Sequence, residues 1–142
     1  MIHENTVVPG TLYTLGYATT GAADELEQVM LDASVLLIDI RVRPQSRWWP
    51  VWNKKQLRER WVGRYTHEKR LGNVNYRDRT LPVVLHGPNV EQAIEGAVGL
   101  LQAGFSLVLL CACKDYETCH RKVVAEMIQH AMKGENDATT NA

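Results

Sequence analysis

No apolar run in this 142-residue chain approaches the roughly 20 residues of a bilayer-spanning helix, so no such span is expected. The N-terminus, MIHENTVVPG, lacks the basic-then-apolar layout of a secretory signal, which predicts a cytosolic protein with no membrane partner. Cysteine is scarce and odd in number. Three residues, Cys111, Cys113 and Cys119, cannot close a disulfide framework, in keeping with a reducing compartment. Neither a repeat nor a second domain is visible. The expected organisation is one domain over residues 1–134, followed by a polar tail over 135–142 that is expected to be disordered. Basic residues are also missing from the first part of the chain: residues 1–40 hold six acids and no lysine or arginine.

What is present is enough apolar residue for a full core: 45% of the chain is hydrophobic and 23% charged, the mix of a globular domain. The formal net charge of zero hides a strong asymmetry. Residues 41–79 carry twelve bases against three acids, and residues 80–142 carry four bases against seven acids. All four tryptophans (Trp48, Trp49, Trp52 and Trp61) lie in the basic segment. Clustered Arg and Lys interleaved with Trp suit phosphate contacts combined with base stacking. The plainer alternative is that the tryptophans cover core and the bases form a solvated face.

The hydrophobic pattern predicts alternating strands and helices. TLYTLGYAT (11–19) reads as a strand, and GAADELEQVMLDA (21–33) as a helix with acids in its first turn. VLLIDI (35–40) is a continuous apolar run, as in a parallel strand buried on both faces. A short helix over 54–63 is expected with Asn53 as its cap and Gly63 closing it; RYTH (64–67) reads as a strand and 71–80 as loop. The helix over 87–104 has Asn89 and Gln92 at capping-box spacing and Gly104 at its end. A buried strand over 106–112 and a last helix over 119–133, capped by Thr118, complete the order. This order predicts an α/β fold: a single three-layer, Rossmann-like domain with a mostly parallel sheet and helices on both faces.

Four segments carry a family resemblance: TLGYAT, LIDIRVRPQSR with WN behind it, YTHEKRLGNVNY, and LLCACKDYETCHR. In this order, from residue 14 to residue 121, the chain resembles family 488 of the domains of unknown function. The resemblance implies a cytosolic α/β domain of bacterial type and no particular reaction. Many members of that family carry an acid where this chain has Cys113, so a role that needs Cys113 is not implied for the family.

In open α/β sheets ligands sit beyond the carboxyl ends of the strands. Here those exits are Gly16–Tyr17–Ala18, Asp39–Ile40–Arg41 and Cys111–Ala112–Cys113, which also fall within the resembling motifs. The last helix should bring Cys119, His120 and Arg121 to the same rim, where free backbone N–H groups and a guanidinium favour an anion and a thiolate at Cys119. Asp39 is either a structural partner for an arginine, Arg41 on its own strand or Arg121 from the last helix, or a general base or ligand-hydroxyl acceptor, and His67 is a second acid–base candidate. The candidate catalytic residues are therefore Asp39, His67 and Cys119. Arg41, Ser46, Arg47, Asn53, Tyr65, His120 and Arg121 are the candidates for holding the substrate anion. The expected partner is a phosphate-bearing small molecule or a nucleic acid, with no cofactor indicated.

Spacing weighs against other uses of the cysteines. A zinc shell of Cys113, Cys119 and His120 with His67 lacks paired ligand motifs, and adjacent Cys119 and His120 are expected to point apart, so no metal is assigned. Cys111 and Cys113 stand about two residue rises apart on one strand face, too far for a relaxed disulfide. A Cys-x5-Arg phosphatase loop fails on register, because the sixth residue after Cys113 is Cys119. The leading expectation is an enzyme or degenerate enzyme acting on a nucleotide or nucleic-acid-linked phosphate substrate at this rim; a non-catalytic nucleic-acid-binding module using the 41–79 face, and a metal or thiol sensor on Cys111, Cys113 and Cys119, stand as alternatives.

Overall fold

The structure, a computed structural model, describes residues 8–140, with side chains described through Gly134. Four strands form one sheet: β1 (Leu12–Gly16), β2 (Val35–Asp39), β3 (Tyr65–His67) and β4 (Ser106–Cys111). Four α-helices connect or follow them: α1 (Ala22–Val29), α2 (Lys54–Arg60), α3 (Val90–Gln102) and α4 (His120–Thr140). Single 3-10 turns at Pro50–Trp52 and Lys69–Leu71 lie within the basic segment, on either side of α2 and β3.

The strand order is β1-β4-β2-β3, and every pairing is parallel. The mostly parallel sheet expected from the apolar runs is thus wholly parallel. The last strand inserts between the first and second, so VLLID and SLVLLC lie at the centre, where both faces are covered. Two buried clusters show the three layers. On one face α3 and α4 pack Ile94, Val98, Leu101, Val124 and Ile128 against Ile38, Leu107 and Leu109. On the other, Leu26 of α1 and Leu57 of α2 join Trp52 and Trp61 over Leu15, Leu37, Val108 and Leu110. Connections that run one way across the sheet use helices on one face, and the return from β3 to β4 uses the other. That is the arrangement right-handed crossovers require.

The register sets the rim. Gly16 pairs with Cys111, and Asp39 pairs with both Leu110 and His67, so the four carboxyl ends finish level. Beyond them the chain stays tied: Tyr17 N donates to the Cys111 carbonyl at 3.0 Å, and Ile40 N to the Leu110 carbonyl at 3.0 Å. Gly16 is where the β1 and β4 exits touch. A Cβ there would lie 1.7 Å from the Cys113 carbonyl oxygen, so only glycine fits.

Three expected caps form differently. Asn53 adopts extended backbone before α2, but its side-chain oxygen accepts from the backbone N–H of Ser46, closing the 46–53 loop instead of the helix. Asn89 sits in the left-handed region (φ 64°) and makes no side-chain cap bond. An N-cap needs extended backbone to aim its side chain at the first turn, so the Asn89–Gln92 box does not close. Helix α4 starts at His120, one residue later than expected. Thr118 contacts the Asp115 carbonyl at 3.5 Å, which leaves Cys119 at the helix boundary. The backbone of α4 continues as helix to Thr140, beyond the Gly134 at which its sequence pattern ends, while the side chains of 135–142 lie outside the described residues.

Candidate functional site

Asp39 ends β2 with no solvent exposure, and four donors surround it. Oδ1 accepts from Arg41 Nε (2.8 Å) and from the Arg41 backbone N–H (3.2 Å); Oδ2 accepts from Arg41 Nη2 (2.7 Å) and from the Tyr65 hydroxyl (2.6 Å). A carboxylate has about four lone-pair sites, and all are used. The aspartate is therefore tied to the strand ends, with each of these sites already partnered. Its partner is Arg41, which projects to the same side of the extended chain, not Arg121. Burial opposes the Arg41 charge, but the bonds to Asp39 outweigh it and raise its pKa. Burial and the Asp39 charge likewise push the Tyr65 pKa up, so the phenol stays a donor.

Arg41 Nη2 also donates to the Trp52 carbonyl at 2.6 Å, while Nη1 is buried with no hydrogen-bond partner. Arg121 repeats the pattern. It is buried against the Gly16 turn, lies 5.3 Å from the Tyr116 ring centroid, and reaches the Lys114 carbonyl at 3.4 Å, yet its Nε has no partner. His67 Nε2 donates to the Arg41 carbonyl at 2.7 Å, bracing the β2 exit from the sheet edge.

The three cysteines converge. Their sulfurs lie within 4.8 Å of one another, with Cys111 and Cys119 buried and Cys113 half-buried. Cys111 Sγ and Cys119 Sγ are 2.9 Å apart. Contrary to the expectation from their adjacency, Cys119 and His120 point together, with Cys119 Sγ 3.7 Å from His120 Nδ1. The other imidazole nitrogen, Nε2, donates to the Ile40 carbonyl at 2.7 Å, so Nδ1 is the atom turned toward the sulfurs. Burial works against a charged His120, but hydrogen bonds with Cys113 and Cys119 prevail and push its pKa up to about 9. Hydrogen bonding from Cys111 and Cys119 draws the Cys113 thiol well below its ordinary value, and Cys111 is pushed up in return.

A cavity of about 270 Å³ opens over this rim, lined in part by Arg41, Arg43, Arg79, Tyr76, Cys113 and His120. A wider, shallower cavity of about 840 Å³ adjoins it through Arg43, Gln45 and Tyr76 and is walled by Arg47, Lys54, Lys55, Arg77 and Trp48. Neither has an acidic lining residue. Among the described residues, none of Arg43, Arg47, Lys54, Lys55, Arg77 and Arg79 takes part in a salt bridge.

The structure therefore divides the candidates into groups. Arg41 and His120 meet at the rim cavity, and Cys119 lies behind His120. Ser46, Arg47 and Asn53 belong to the wider cavity. Asp39, Tyr65 and His67 support the strand ends and line neither cavity, and Arg121 is packed behind the Gly16 turn. His67 does not join the cysteines; the imidazole that does is His120. The basic segment also divides. Trp52 and Trp61 are core, whereas Trp48 and Trp49 are 78% and 53% exposed. Arg64 is committed to the carbonyls of Met30, Asp32 and Val35, and Arg60 and Arg70 to Glu27 and Glu68. Sequence reasoning does not single out Arg43 and Arg79. Their shared signal is the +9 charge of their segment, which marks a region and not a residue, and Arg43 also falls within the resembling LIDIRVRPQSR.

A family model described as Domain of unknown function DUF488 matches residues 24–128, from α1 into α4 and across three of the four resembling segments. No curated protein and no solved structure matches the chain.

Proposed function

Because the chain belongs to the DUF488 family, whose description names no reaction, we propose from its site that it binds a phosphate-bearing end of a single-stranded nucleic acid, with the terminal nucleotide in the rim cavity. The observation that carries this reading is the pair of adjoining cavities lined by Arg41, Arg43, Arg47, Lys54, Lys55, Arg77 and Arg79 with no carboxylate among their walls. The rim cavity, at about 270 Å³, suits a phosphate with part of a nucleotide. The wider cavity supplies further cations for the following phosphates, and exposed Trp48 offers a ring for a base. The Arg41 Nη1 donor, buried without a partner in a residue that lines the rim, gains one from a phosphate oxygen. Holding is favoured over turnover through Asp39 or His67, because both side chains already have structural partners.

Fluorescence anisotropy with a 5′-phosphorylated oligonucleotide tests this reading. Engaging four of the cations gives a slope of log K against log salt of about −3, at roughly 0.7 per phosphate contact. Arg43→Ala with Arg79→Ala should weaken binding at least tenfold, each lost charge contact being worth about 1.5–3 kcal/mol. If neither the oligonucleotide nor any mononucleotide binds or raises the melting temperature, the reading fails. Tight mononucleotide binding with no gain from the strand would confine the site to the rim cavity.

A further inference from the structure

We propose that Cys111, Cys113, Cys119 and His120 form a binding site for zinc at the floor of the rim cavity. The inference goes beyond the phosphate reading and does not depend on it. Its basis is a convergence of soft donors from two elements. Cys111 and Cys113 flank Ala112 at the exit of β4, and Cys119 and His120 meet them from the start of α4. A tetrahedral zinc ion with Zn–S near 2.3 Å has S···S edges of about 3.8 Å and S···N edges of about 3.6 Å. All three sulfurs lie within 4.8 Å of one another, and the Cys119 Sγ to His120 Nδ1 separation is 3.7 Å. The Cys111–Cys119 pair, at 2.9 Å, has to open by about an ångström to admit the ion.

The surroundings match what such an ion needs. His120 donates Nε2–H to the Ile40 carbonyl, which fixes the ring and presents Nδ1 to the sulfurs, as metal-binding histidines do. No hard oxygen donor belongs to the cluster, which selects zinc-like ions over magnesium or calcium. Cys113 and His120 line the rim cavity and so provide an entry path. On binding, the ion replaces the thiol protons and the Nδ1 proton, which pass to solvent. A divalent ion with three thiolates and a neutral imidazole carries one net negative charge.

Untagged protein purified without chelator, under reducing conditions, should carry close to one zinc per chain by elemental analysis. Chelator-stripped protein titrated with cobalt(II) should develop the visible bands of a tetrahedral thiolate centre and saturate at one equivalent. Cys113→Ser alters the most exposed ligand, so it has the best prospect of folding, and it should lower cobalt affinity at least tenfold and cut the sulfur-to-cobalt charge-transfer intensity by about a third. Wild-type protein alone decides the main question. Less than a tenth of an equivalent of metal as purified, together with no cobalt bands after reduction, overturns the proposal. So does a two-hydrogen mass deficit that maps to a Cys111–Cys119 disulfide, or a Cys113→Ser protein that binds cobalt like the wild type. Phosphate binding is read separately by anisotropy, so either idea can fail alone.

Discussion

Replacing Asp39 with alanine tests whether the aspartate is a structural clamp or a proton acceptor. In the folded protein its carboxylate neutralises Arg41, which is 5% exposed, and accepts the Tyr65 hydroxyl bond at 2.6 Å. Asp39→Ala leaves a buried guanidinium with no counterion and a phenol with no acceptor. Removing one partner of a buried ion pair costs about 3–5 kcal/mol, because the other charge stays buried and unpaired. The Tyr65 contribution overlaps with this and is not added. For a chain of this length each kcal/mol lowers the melting temperature by about 3–5 °C, so Asp39→Ala should melt about 10–20 °C below wild type. The double variant Asp39→Ala with Arg41→Met removes both charges and should recover about 2–3 kcal/mol relative to the sum of the single losses, since the two groups are in direct contact. Circular dichroism melts and urea titrations of the four proteins complete the cycle. An Asp39→Ala protein melting within about 2 °C of wild type, or single losses that simply add, would refute the clamp and return the carboxylate to the catalytic candidates.

The architecture was legible in the sequence because parallel strands buried on both faces leave a local mark. VLLIDI and SLVLLC are continuous apolar runs, and the amphipathic stretches between them form helices at nearly the expected positions. The Asp39–Arg41 pair was legible for a similar reason, since residues two apart on an extended chain share a side. The cysteine cluster was not. Linear spacing separates Cys113 from Cys119, and only the turn from β4 into α4 folds six residues back on themselves so that the sulfurs meet. Adjacent Cys119 and His120 looked divergent on the assumption of regular helix at both, but α4 begins at His120 and Cys119 stands at its boundary. The tryptophans show the same limit. Nothing local distinguishes buried Trp52 and Trp61 from exposed Trp48 and Trp49, because their fates depend on which residues α1 and the sheet place above them. His67 and His120 likewise differ only in tertiary position. One braces the Arg41 carbonyl and the other reaches the sulfurs.

Two further predictions follow from single close contacts. Gly16→Ala drives a methyl into the Cys113 carbonyl, so the β4 exit must shift; a loss of about 1–3 kcal/mol in urea unfolding is expected, with lower cobalt affinity. Unchanged stability and cobalt binding would show that the two exits are not in contact. Glu68 offers a pH test: its hydrogen bonds from Arg70, at 2.8 Å to each oxygen, hold its pKa below the ordinary value of 4.5. The folded state therefore binds the proton less readily than the unfolded chain. The resulting stability is fully present above the unfolded pKa and is lost as pH falls through the lowered folded value. Glu68→Gln should thus be less stable than wild type at pH 7, by at most about 1 kcal/mol for a partly exposed pair. The two melting curves should draw together as the pH drops below about 4, where the wild-type carboxylate takes up its proton. A difference that persists unchanged in acid would mean that the Glu68 charge contributes nothing and that the variant is weakened by lost packing alone.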